Sequence, residues 1–224
     1  MANNTGGFGL RTVTTTGNTP ATSGQSNYKI ESGLDVGIFK NNPVSLNDGG
    51  ATAGETGYLQ DMSFDTTDDG GAGGVDFNNT NTALSVGVFN GCFFINGSTS
   101  KPTFANSVAA GTTFGTDYNT GTNNITGFVI DNPQQEYVVR TDAAIGGSAA
   151  AVQAAMGLDY NIASFTAGNA KSGMSTALLD ITNGAGANDM FTMVRIAGTP
   201  DQKDGQAAGC DVVVTINPAA AQYN

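Results

Sequence analysis

Five residues of "DTTDDGGAGGVD", Asp65 to Asp76, stand at calcium-loop spacing. Asp65, Thr67, Asp69, Gly70 and Asp76 occupy positions 1, 3, 5, 6 and 12 of the stretch, where alternating oxygen ligands and a turn glycine wrap a hard cation. Thr67 is a weaker ligand than a carboxylate, Asp76 is shorter than the bidentate Glu such loops favour, and no helical pattern leads in. The stretch reads first as a solvated acidic loop, with calcium as the open alternative. A second candidate, "TAGNAKSG" from Thr166 to Gly173, sets a Lys-Ser pair in a glycine-bearing loop like one that cradles phosphate. It lacks a glycine directly before Lys171 and a strong strand ahead of it, and reads as an ordinary loop.

The remaining chemistry is bounded by absences in the sequence. There is no histidine, which removes Ser-His-Asp and Cys-His nucleophilic sites and most zinc sites together. Glycoside hydrolysis needs only two placed carboxylates, but the 19 Asp and Glu fall in no recognisable motif. The expectation is a protein that is not an enzyme, with no catalytic residue, no cofactor and no metal. Trp is absent too, so sugar stacking would fall to Tyr58, Tyr118 and Tyr137. Cys92 and Cys210 are too few and too far apart for a metal knuckle or a disulfide framework. Cys92 reads as a small buried hydrophobe, and a bridge to Cys210 stays open until geometry decides it.

Residues that could make contacts rather than reactions fall in two places. Near the start, Phe8 and Leu10 form one apolar patch, with Arg11 following, in 27 residues otherwise rich in Gly, Thr and Asn. That composition cannot bury enough surface to fold alone. It reads as an extended arm that orders on a partner, with a frayed terminus as the alternative. The second place is the most apolar stretch of the chain, "VGVFNGCFFINGSTSKPTF", Val86 to Phe104. Val86, Val88 and Cys92 are expected in the core. Phe94 and Phe104, flanking a hairpin with Lys101 and Pro102, are the candidates for a contact with another protein.

Positioning these groups falls to strands. Short β-type runs recur between turn signals: Tyr28 to Glu31, Val36 to Phe39, Val44 to Leu46, Gly57 to Gln60, Ser85 to Ile95, Thr126 to Ile130, Glu136 to Arg140, Ala177 to Ile181, Phe191 to Ile196 and Asp211 to Ile216. Asn90-Gly91, Asn96-Gly97 and Asn183-Gly184 tolerate positive φ in tight turns. Because Asn90-Gly91 lies inside the apolar stretch, that stretch is either two strands or one with a bulge. One helix is expected, with Ser148 as N-cap, an Ala-rich body through Met156 and Gly157 as its stop. The fold class is therefore mainly β: a single sandwich or barrel-like domain over 28–224, an extended arm over 1–27 and at most one short helix.

Charge narrows the partners. The 224 residues carry net charge −11, and no Lys or Arg occurs between Lys40 and Lys101, so a phosphate backbone would be repelled. Apolar runs are far shorter than the ~20 residues of a membrane helix. The polar start lacks the basic end and apolar core of a secretory signal. The expectations are no direct nucleic-acid contact, no membrane, and synthesis and folding in a cytoplasm.

Motif order carries a family resemblance. "GFGLR", "YKIESG" leading to "IFKNNPVSL", "GVFNGCFF" with "KPTF", "GFVIDNPQQEYVVR", "KSGMSTALLD" and "FTMVRIAGTPDQKDGQAAGCDVVVTIN" follow one another along the chain. In this the chain resembles the capsid decoration, cement or head structural proteins of tailed phages, mostly marine and environmental ones. The resemblance implies a mainly β body with an extended N-terminal segment on the outer face of an icosahedral head, often as a homotrimer. It implies a non-enzymatic virion role, stabilising the capsid by bridging major capsid protein subunits. The alternative from another class is a carbohydrate-binding adhesion module, a head fibre or lectin-like β-sandwich using the tyrosines named above.

Overall fold

The structure is a computed structural model that describes residues 3–16, 19–20, 24–31, 34, 36–46, 57–62, 85–96, 99–112, 125–163, 168–186, 189–198 and 203–218. The acidic stretch Asp65 to Asp76 and Tyr118 lie outside them. In chain order the early strands are β1 (Arg11–Thr15), β2 (Thr19–Pro20), β3 (Ser26–Lys29), β4 (Ile38–Phe39), β5 (Pro43–Leu46) and β6 (Leu59–Asp61). Next come β7 (Ser85–Ile95), β8 (Pro102–Ala105), β9 (Ser107–Val108), β10 (Thr126–Ile130) and β11 (Gln135–Arg140). After α1 (Ala149–Ala154) follow β12 (Asp159–Tyr160), β13 (Gly168–Asn169), β14 (Met174–Ser175), β15 (Phe191–Ile196) and β16 (Asp211–Ile216).

Two large antiparallel sheets organise the chain. The first runs β12-β15-β16-β11-β1-β2, the second β3-β10-β7-β5-β6, with β8 on the other half of β7's edge. The protein is mainly β and sandwich-like, as the turn chemistry predicts. Alternation explains how the sheets meet, because successive strand residues face opposite sides. Tyr137, Val139, Val212, Val214, Phe191 and Met193 project from the first sheet into one core cluster. Val88 and Ile130, paired across β7 and β10, enter it from the second sheet. The second sheet's other face carries a separate cluster with Phe89, Cys92, Val129, Leu59 and Ile30. Tyr137 fastens the corner between the sheets, donating from its buried hydroxyl to the Ile130 carbonyl at 3.2 Å.

The 11-residue β7 is one strand with a bulge, not two strands. Against β10, Gly127 pairs with Cys92 but Val129 pairs with Phe89, so β7 holds one residue more than its partner there. Gly91, at φ 115, supplies the conformation the bulge needs. Beyond it Cys92 faces the second core cluster and Phe93 the opposite side.

Strands β1, β2, β8, β9, β12, β13 and β14 are not among those expected, while nine of the ten expected strands are observed within a residue or two, the exception being Ala177 to Ile181. There Leu179 makes only isolated bridges, to Thr141 and to Ile162. Its backbone bonds go to several partners instead: Leu179 N–H donates to the Arg140 carbonyl, while Asp142 N–H donates to Leu179 and Asp180 N–H to Asn161. The expected helix forms on its Ser148 cap, whose Oγ accepts from Ala151 N–H, but it ends at Ala154 with Ala155 as C-cap, short of Met156, and Gly157 at φ 84 lies in the turn that follows.

The N-terminal segment is extended, but it docks on its own chain. Its β1 lies between β11 and β2 within the first sheet, and β3 straddles the boundary expected at 27/28. Gly9 N–H donates to the Ala177 carbonyl at 3.1 Å and Leu10 N–H to the Asn41 carbonyl at 2.9 Å. Gly9 sits at φ 70, where an added Cβ would lie 2.6 Å from the Asn41 carbonyl oxygen. A glycine is therefore required at this crossing.

Candidate contact surface

The first patch of expected contact residues is largely consumed by folding. Leu10 is 1% exposed within the inter-sheet core, which removes it as a surface contact. A composition-based reading could not foresee this, since the partner the segment orders on is the rest of its own chain. Phe8 is half-buried, with the Arg11 guanidinium 4.0 Å and the Arg140 guanidinium 5.0 Å from its ring centroid. Arg11 is exposed. Arg140 also forms a buried ion pair with Asp211 (Nε to Oδ1, 2.8 Å) and donates to the Gly6 carbonyl at 2.7 Å. One guanidinium thus neutralises a buried carboxylate and straps the segment down.

Along the same sheet, Glu136 Oε2 accepts from Arg195 at 2.7 Å and from Thr14 at 2.8 Å. The Arg195 hydrogen bond is the main cause holding the Glu136 carboxyl below its ordinary value, burial opposing it. Other carboxylates are similarly committed to structure. Asp159 accepts from Thr192 and Asn217, Asp189 from Asn161 and the Gly186 N–H, and Asp142 from the Ile181 N–H and Thr182. No group of three or more His, Cys, Asp or Glu able to hold a metal occurs among the described residues.

The loop with Lys171 and Ser172 is the turn of the β13–β14 hairpin, where Asn169 Oδ1 accepts from Lys171 N–H at 2.9 Å. Among the described residues the loop leads into β14, and no helix follows to present N–H groups to a phosphate. Cys92 and Cys210 are free, buried thiols in separate core clusters. Burial pushes Cys92 up to about 12 and, with the Asp211 and Asp204 charges, Cys210 to about 11. Tyr137, expected as a possible sugar platform, is 0% exposed. Tyr58 carries the Lys29 ammonium 5.4 Å from its ring centroid.

The second patch is where side chains assemble on the surface. Phe94 is half-buried against the second core cluster. Lys101 and Pro102 are exposed, and Phe104 is 74% exposed. Register explains what Phe104 rests on. The β7–β8 hairpin pairs Phe93 with Phe104, and the rings tilt together at 4.9 Å between centroids. Phe104 also stacks with Phe128 of β10, across β7, at 6.4 Å between centroids. Phe128 shares its face of β10 with Ile130, which lies in the inter-sheet core. The Phe93–Phe104–Phe128 ridge is therefore the extension of that core beyond the cover of the first sheet.

Sequence reasoning missed Phe93 and Phe128. A two-residue turn at Asn96-Gly97 would set Phe93 opposite Ser100; the connection is longer, Asn96 N–H donating to the Lys101 carbonyl, and that brings Phe104 opposite Phe93. Placing it required knowing that the bulge at Gly91 exchanges the faces of the residues after it.

A groove of about 470 Å³ opens between α1 and 203–206, lined by Val152, Met156, Val194 and Ile196. Its charges nearly cancel: Arg195 is bonded to Glu136, and Lys203 is followed by Asp204.

Comparison with family models, with curated proteins and with solved structures finds no match to this chain.

Proposed function

We propose that this protein is a non-enzymatic structural component of a phage virion. In this reading it decorates the outer face of an icosahedral head and stabilises it by bridging major capsid protein subunits. The single observation that carries a contact role is the aromatic ridge: a ring 74% exposed, seated on two further rings. Exposed aromatic clusters are the composition of interfaces, where Phe and Tyr are enriched and carry much of the energy. The motif order along the chain supplies the virion setting.

The chemistry such a role demands is surface. A pressurised shell fails where capsomers separate, and a clamp across the junction resists by the area it keeps buried. Several linked contacts raise the effective affinity by about 10²–10⁴ over one.

The test is co-sedimentation with heads stripped of this protein. The intact chain should saturate a fixed number of sites per head, and Phe104→Ser should lower occupancy at least about tenfold, with its melting temperature retained. Absence of saturable binding by the intact chain would overturn the proposal.

A further inference from the structure

The ridge ends at a strand edge, and the hydrogen-bond phase of that edge says what fits it. Asn96 N–H donates to the Lys101 carbonyl at 2.9 Å, so the bonded pairs across the hairpin recur every second residue, at Phe94/Thr103 and Cys92/Ala105. Phe93/Phe104 is a non-bonded pair. The Phe104 N–H and C=O therefore point away from β7, and among the described residues no other strand pairs with β8. Pro102 has the same phase: its missing N–H lies on the outer side, where the ladder with β7 loses nothing.

Charge chooses the occupant. The chain carries 19 acidic residues and net charge −11, so two copies repel over most approaches. Yet β10, β7, β8 and β5 contain no charged residue; Asp61 lies in β6, and the exposed charge directly beside β8 is Lys101, whose sign suits an acidic copy. Asp131, directly after β10, accepts from the Tyr28 hydroxyl at 2.8 Å. The β8 side of this sheet is where a second copy can approach at small electrostatic cost.

We propose that the partner at this edge is a second copy of the chain, paired antiparallel with β8 across a two-fold axis, Phe104 opposite Phe104 of the copy. The identification rests on the reading of the ridge as a contact surface. Each Phe104 N–H donates to the other's carbonyl, and the rings, on the same face of the joined sheet, continue the ridge from one copy to the next. Pro102 withholds the next donor, so the pairing has one register and does not extend. The contact is small, and its association is concentration-dependent. A two-fold pair is a different closure from the trimer that the resemblance implies, and mass distinguishes them.

Sedimentation equilibrium of the intact chain should show monomer converting to twice its mass as concentration rises through the micromolar range. Phe104→Asp should weaken this at least about 100-fold, by removing two rings and opposing two carboxylates, while Phe104→Tyr retains it. Amide hydrogen exchange on the unaltered chain needs no variant: the Phe104 N–H should exchange more slowly as concentration rises, in step with dimer fraction. A monomer at every concentration, a trimer with no dimer, or a concentration-independent Phe104 amide would each overturn the proposal. Because no capsid is present in either measurement, failure to bind heads leaves this result standing, and failure to dimerise leaves head binding to be judged separately.

Discussion

Several side chains that attract attention for their chemistry serve the fold instead. Both thiols lie in apolar clusters with their pKa raised by burial, Cys92 to about 12, so at neutral pH almost no thiolate is present to react. Neither should label with a disulfide reagent in the native state at pH 8, and both should label at once in denaturant. One fast-labelling native thiol would contradict that placement. Glu136 has a folded-state pKa below its unfolded value, chiefly through Arg195. Its contribution is therefore present above the ordinary carboxylate range and is lost as pH falls through the lowered value. Because Arg195 is well exposed, its side chain 43% accessible, the effect is screened and amounts to about 0.5–1 kcal/mol. Glu136→Gln should lower the urea midpoint at pH 7 and lessen its fall below about pH 4; an unchanged pH profile would refute the pairing.

At the level of elements, the N-terminal segment teaches the most about what sequence carries. Turn pairs and β-branched alternation were enough for most strands, because those are local signals, and the Ser148 cap was enough for the start of α1. The segment's fate was not local. Its Leu10 fills a core built mostly by residues more than 100 positions away, and only the folded neighbours make Arg140 available to hold Gly6. The same limit hid the ridge, whose three rings come from three strands. Replacing Arg140 by Met would remove the strap and leave Asp211 buried without its ion-pair partner, costing about 3–5 kcal/mol. The expected consequence is a lower melting temperature together with protease cleavage near residues 3–10. A variant as stable and as resistant as the parent would show that the segment does not depend on Arg140.

For the whole molecule, the architecture combines a sandwich closed by its own N-terminal segment with an apolar edge at β8 that no other described strand covers. That edge suits the contact role proposed above. The most direct measurement is a cryo-EM map of the assembled particle compared with one from phage lacking this protein. The proposed role predicts density for the two sheets on the outer face of the head, over junctions between major capsid protein subunits, and a bare surface when the protein is missing. Identical outer surfaces in the two maps would contradict it.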